Sequence, residues 1–138
     1  MKKIITLSFT LIVTICAFAT VRTVSSNPST LGQFSTIQAA IDASVDSDTV
    51  YVYGSPNVYA AFTISDKKIT VIGPGWAPDK NLPFTATVAG VTINNSAAGG
   101  SPDGSELHGL VFNSTATLSN AGGTNTGVNN IRLIRCQF

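Results

Sequence analysis

Two families of short segments alternate along this 138-residue chain, and that alternation restricts its fold more than any other feature. Thr49-Val50-Tyr51-Val52-Tyr53-Gly54 resembles Lys68-Ile69-Thr70-Val71-Ile72-Gly73. Leu107-His108-Gly109-Leu110-Val111-Phe112 matches Leu133-Ile134-Arg135-Cys136-Gln137-Phe138 in the frame Leu-x-x-(Leu/Cys)-x-Phe. Between them run Phe62-Thr63-Ile64-Ser65, Val91-Thr92-Ile93-Asn94 and Ala116-Thr117-Leu118-Ser119, all apolar-Thr-aliphatic-(Ser/Asn). Each segment alternates with period two, so one side faces a core. Short strands recurring at this spacing with turn-rich links are the signature of a solenoid. Equivalent strands stack in parallel, with Thr63, Thr92 and Thr117 in one ladder and Ile64, Ile93 and Leu118 stacked inside. Parallel pairing needs no tight hairpin, and Asp103-Gly104 lies in a longer loop.

Composition agrees with strands rather than helices. The chain has seventeen Thr, fourteen Ser and ten Asn but a single Glu, Glu106, and only 11% of its residues are charged. A polybasic nucleic-acid binder and a helical bundle are both excluded on these grounds. One helix is predicted, over about Thr36 to Ser44. Ser35 and Gln38 have capping-box spacing, and Ile37, Ala40 and Ile41 make one apolar face. A helix this short is stable only when laid on something else.

The N-terminus reads as an address. Met1-Lys2-Lys3 precedes an uncharged run from Ile4 to Val21 that ends in Ala17-Phe18-Ala19, the layout of a secretory signal peptide cleaved after Ala19. The rival is a retained membrane anchor, but Thr6, Ser8, Thr10, Thr14 and Thr20 dilute the run and only Arg22 flanks its far end. The expected division is therefore a signal peptide at 1–19, a polar entry segment at 20–33 and, at 34–138, the cap and first turns of the solenoid. Cleavage leaves Cys136 as the lone cysteine, so no intrachain disulfide can form, and its apolar setting predicts a buried small side chain.

Residues 34–75 carry a more specific likeness. Phe34-Ser35-Thr36-Ile37-Gln38-Ala39-Ala40-Ile41-Asp42, then Asp48-Thr49-Val50-Tyr51-Val52, Val58-Tyr59, Phe62-Thr63-Ile64 and Lys68 to Gly75 resemble the opening of secreted right-handed parallel β-helix proteins of the pectin lyase-like superfamily, nearest the pectin methylesterase-like branch. Gly109 to Asn113 and Asn130 to Cys136 carry a weaker, generic version. The resemblance implies an all-β, right-handed parallel β-helix whose short N-terminal α-helix lids its open end, as the exposed core of a first solenoid turn requires. Activity is not implied equally. Of the branch's Gly-x-Tyr-x-Glu pattern Tyr59 is kept, but Ala61 stands at the Glu position. Ala116 to Asn130 contains neither Gln nor Asp, and the branch's aspartate and arginine motifs would fall beyond Phe138. Because Phe138 closes a bare strand, the solenoid is expected to be C-terminally incomplete, or else to pair end to end with a second chain.

Few residues offer chemistry. Asp42, Asp46, Asp48, Asp66, Asp79 and Asp103 fall in turns, where carboxylates bond backbone N–H groups, and solvated turns are expected. Asp46-x-Asp48 alone is a weak Ca²⁺ signal, and no metal or other cofactor is expected. His108 is expected to face solvent. Tyr51 and Tyr53 form an outward aromatic pair, and Trp76 sits in a Pro/Gly loop thrown out between Gly73 and Val91. These four are the candidate carbohydrate contacts, because aromatic faces stack on sugar rings. Asn94-Asn95-Ser96 and Asn113-Ser114-Thr115 are glycosylation sequons. The function these features favour is a secreted, non-catalytic β-helix segment of a surface or extracellular protein with polysaccharide as ligand. The alternatives are the N-terminal portion of a pectinesterase or polysaccharide lyase whose catalytic turns lie downstream, and a membrane-anchored extracytoplasmic domain.

Overall fold

A computed structural model of the protein describes residues 19–76, 83–96, 99–120 and 127–138. The signal segment, with Cys16, lies outside these residues, as does Asp79. Among the described residues no helix is long and apolar enough to cross a membrane.

The chain is an all-parallel β-solenoid of about four turns with one short helix. Its largest sheet stacks β1 (Val21–Val24), β2 (Thr49–Val52), β4 (Thr70–Ile72), β7 (Glu106–His108) and β10 (Arg132–Ile134) in that order. A second sheet stacks β3 (Phe62–Ser65), β6 (Val91–Asn95) and β9 (Ala116–Asn120), and a third pairs β5 (Thr87–Val88) with β8 (Val111–Phe112). The turns that start at β4 and β7 each visit the large, the two-stranded and the three-stranded sheet once, whereas the turn that starts at β2 has only an isolated bridge, Tyr59 to Val88, in the place of the two-stranded sheet. The threonine ladder has the register expected, Thr63 beside Thr92 beside Thr117, with Ile64, Ile93 and Leu118 in line on the opposite face. Ile64 and Ile93 are buried, whereas Leu118 is 53% exposed on the last strand of its sheet.

The repeat read as one strand from Leu107 to Phe112, and again from Leu133 to Phe138, is corrected. The first is two strands on different sheets, and the second is β10 followed by an isolated bridge from Gln137 to Val111, each with a sharp corner between its halves. Gly109 (φ 59°) and Arg135 (φ 53°) occupy the same corner one turn apart, in the left-handed region that glycine enters freely and arginine does not. The frame Leu-x-x-(Leu/Cys)-x-Phe therefore records a bend as well as an alternation. Leu107 stacks on Leu133, and Phe112 stacks on Phe138 with ring centroids 5.3 Å apart. Cys136, half-buried, donates its thiol to the Leu107 carbonyl at 3.4 Å.

The core is a column of aliphatic side chains inside the coil. Val50, Val71 and Leu107 lie in register and are fully buried, with Val52, Ile69, Val88, Ile93 and Leu110 around them. At the front end α1 (Ile37–Ala43) buries Ile37, Ala40 and Ile41 and packs on β1, β2 and β3. The lid is thus present, but its cap is Thr36 rather than Ser35: the Thr36 hydroxyl accepts the Ala39 N–H at 3.2 Å. Gln38 is released from capping. Its side chain accepts the Thr63 N–H at 2.8 Å and donates to the Thr63 carbonyl at 3.3 Å, so an amide replaces the neighbouring strand that β3 lacks on that edge. Replacing Thr36 with alanine should cost about 1 kcal/mol, since a helix of two turns loses one of its few satisfied N-terminal donors. Urea unfolding followed by circular dichroism would measure it.

Aspartates join successive turns where the chain enters the large sheet. Asp46 accepts the Lys68 N–H and Asp103 the Asn129 N–H, each at 2.7 Å. Ser47 and Gly104, the next residues, share a positive φ (70° and 77°). Asp66, itself at φ 56°, accepts the Ser96 N–H at 2.7 Å and the Ser96 hydroxyl. Turn chemistry is thus the use of these acids, but their partners are a full turn away rather than next door. The expectation of a solvated turn fails for Asp48, which is fully buried. Its carboxylate accepts the N–H groups of Thr20 (2.7 Å) and Val45 (3.0 Å) and lies 3.4 Å from Arg22 Nε. Arg22 occupies the inward column, in register with Val50, so the first turn sets a cation where the later turns set aliphatics, and Asp48 neutralises it.

Candidate functional site

A groove of about 320 Å³ opens over the end of β2. Its described lining comes from three successive levels of the coil. Asn27 and Thr30 stand on the loop after β1, Tyr51, Tyr53 and Gly54 on and after β2, and Pro74, Pro83 and Phe84 on the loop after β4. Strand alternation sends Val50 and Val52 inward and leaves Tyr51 and Tyr53 outward and half-buried. The two rings meet edge to face, with centroids 5.1 Å apart and planes at 80°. That is the favoured geometry of an aromatic pair.

Buried polar contacts hold the groove in shape from below. Tyr59, 3% exposed, donates its hydroxyl to the Tyr53 carbonyl at 2.8 Å and accepts the Ser26 N–H at 3.2 Å. Ser26 and Ser55 share a hydroxyl–hydroxyl bond of 2.8 Å. One buried phenol thus ties the loop after β1 to the turn after β2, which gives Tyr59 a positioning role that needs no catalytic motif. Gly54 permits the other wall. A Cβ there would lie 2.2 Å from the Phe84 carbonyl oxygen, so only glycine lets the loop after β4 press down on this turn. Asn27 fixes its own amide by accepting the Ser29 N–H at 3.0 Å.

Of the four residues proposed from sequence, Tyr51 and Tyr53 share this groove. Trp76 ends the 3₁₀ turn Pro74–Trp76, and its side chain lies outside the described structure. His108 is not among the groove's lining residues, and it is not the solvent-facing residue expected. It lies two strands from Tyr51 in the same outward row of the large sheet, behind Ile72, and is only 7% exposed. There Glu106 bridges it to the next turn, with His108 Nε2 at 2.9 Å and Arg132 at 3.0 Å from the two carboxylate oxygens. The hydrogen bond from His108, helped by Arg132, holds the Glu106 carboxyl below its ordinary range despite partial burial. This cluster fastens β10 to β7. Among the described residues no group of three His, Cys, Asp or Glu is placed to hold a metal ion.

Pro74, Pro83, Phe84, Asn27 and Thr30 were not legible as a site. In the sequence Pro74 and Pro83 mark only an outlying loop between Gly73 and Val91, and Asn27 and Thr30 fall in the polar entry segment. Periodicity within one strand cannot show which loops of other turns will converge on it. No family model, curated protein or solved structure matches the chain.

Proposed function

We propose that this chain is a secreted, non-catalytic β-solenoid segment of an extracellular or surface protein that binds polysaccharide in the Tyr51–Tyr53 groove. The observation that carries the reading is the edge-to-face tyrosine pair in an open, aromatic and proline-walled groove with an amide and a hydroxyl at one end. Such walls suit the C–H faces of sugar rings, while Asn27 and Thr30 suit their hydroxyls. The N-terminal pattern of Lys2-Lys3, an uncharged run and Ala17-Phe18-Ala19 supports export. Kinship with pectin lyase-like proteins rests on the sequence pattern of residues 34–75, with which a lidded parallel solenoid is compatible.

Affinity electrophoresis of the chain in gels carrying acidic or neutral polysaccharides tests the proposal. At least one polymer should retard it, and Tyr51→Ala with Tyr53→Ala should weaken that binding by about tenfold, the loss of roughly one aromatic stacking contribution. His108→Ala should leave it unchanged. Equal retardation of the wild type and the double-tyrosine variant would remove the groove from consideration.

A further inference from the structure

We infer that removal of the leader after Ala19 turns the Thr20 nitrogen into an ammonium paired with the Asp48 carboxylate, so that export itself fastens the first turn of the solenoid. This inference rests on the export reading above and goes beyond it. Thr20 is held on both sides. Its nitrogen donates to Asp48 Oδ1 at 2.7 Å, and its carbonyl accepts the Thr49 N–H at 2.9 Å. Hydrolysis of the Ala19–Thr20 peptide breaks its C–N bond. Water's hydroxyl goes to the Ala19 carbonyl carbon and its hydrogen to the Thr20 nitrogen, which takes a further proton from solvent at neutral pH. The nitrogen need not move. One donor becomes three, and a hydrogen bond from a neutral amide becomes an ion pair with charge on both sides.

The solenoid supplies its own comparison. Thr20 and Ile69 stand at the same position of the large sheet, each just before a strand, as the registers of β1, β2 and β4 show. The Ile69 N–H also donates to a side chain one level on, the Ser105 hydroxyl at 3.0 Å. Ile69 lies within the chain, so its nitrogen never carries charge, and a neutral oxygen serves it. Thr20 follows the Ala17-Phe18-Ala19 site, and a carboxylate serves it. Arg22 leaves room for this second cation. It lies 3.4 Å from Asp48 Oδ2, which also accepts the Val45 N–H, whereas Thr20 takes Oδ1. Neighbouring charges are engaged elsewhere: Lys67 Nζ on the Ile41 and Ser44 carbonyls, Asp46 on the Lys68 N–H and Asp42 on Gln38. Asp48 is fully buried but Thr20 is exposed, so the ammonium keeps water on its outer side and loses little hydration.

Expression of the full chain, leader included, in a secreting host, followed by N-terminal sequencing and thermal unfolding of the product, tests this. The exported chain should begin at Thr20. A second version with two small residues inserted between Ala19 and Thr20 moves the ammonium away and leaves a peptide N–H on Asp48. It should unfold about 3 °C lower at pH 7. An ammonium favoured by a carboxylate partner stabilises fully below its unfolded pKa of about 7.7–8.0 and loses that effect as pH rises through the folded value. The difference should therefore fall to about 1 °C or less by about pH 10, and do the same at pH 7 when both versions carry Asp48→Asn. Equal melting at pH 7, a difference that persists at pH 10 or in the Asp48→Asn pair, or a mature start other than Thr20 overturns the inference and leaves export standing. Should Asp48→Asn fail to fold, the pH dependence decides. A leader retained on the chain overturns both.

Discussion

Replacing Asp48 with alanine is expected to destabilise the solenoid by about 3 kcal/mol at neutral pH, a large share of the roughly 5–15 kcal/mol that holds a domain together. Asp48 is fully buried beside Arg22, and its loss strands that guanidinium on the inward column and frees the N–H groups of Thr20 and Val45. The same residue makes stability pH-dependent. Burial by itself would raise the Asp48 carboxyl, but the hydrogen bonds from Thr20 and Val45 and the charge of Arg22 outweigh it and hold the group below 3.8. A carboxyl lowered on folding contributes its full stability above its unfolded pKa and loses it as pH falls through the folded value. Glu106, held below 4.5 by His108 and Arg132, acts in the same direction at the other end of the coil. Wild-type stability should therefore be level between about pH 5 and pH 7 and fall below about pH 4. Asp48→Ala should be weaker at pH 7 and show a shallower fall in acid. Guanidinium unfolding at pH 7, 5, 4 and 3 measures both, and an acid slope unchanged by the substitution would contradict this assignment.

A second large effect is expected at Leu107. It is fully buried in the central column between Val71 and Leu133, and Leu107→Ala should cost about 2–5 kcal/mol through lost burial and the cavity left behind. Thermal unfolding should shift down by about 10 °C or more. Leu133, one turn further along the same column, is 39% exposed, and Leu133→Ala should cost about 1 kcal/mol. The contrast isolates position in the stack from residue type. Equal losses at the two sites would mean that the column is not packed as described.

The interleaved pattern was sufficient for the architecture because in-register stacking repeats the same inside and outside at every turn. Thr63, Thr92 and Thr117 could be aligned on paper, and they align in space. The turns carried a repeat that alternation does not display. Val45-Asp46-Ser47-Asp48 and Pro102-Asp103-Gly104-Ser105 are equivalent corners. Asp46 and Asp103 each accept an N–H from the following turn, while Asp48 and the Ser105 hydroxyl accept one from the preceding turn, at Thr20 and Ile69. Comparing the residues just before each strand of the large sheet would have found it. Strand β1 was harder to see, since four residues straddling the end of the leader run carry no period of their own, and Arg22 on their inward side reads as polar until Asp48 arrives from 26 residues away.

What the sequence determined by itself is the coil, its lid and the outward pair Tyr51–Tyr53, because each follows from local periodicity and from contacts that recur at every turn. Only the tertiary structure decided that Asp48 is buried, that His108 is held against Glu106 rather than facing water, and that loops from three levels close a groove around the tyrosines. Those outcomes depend on which side chains of different turns meet, and a linear pattern specifies the column in which a residue stands but not the chemistry of the loop that comes to cover it.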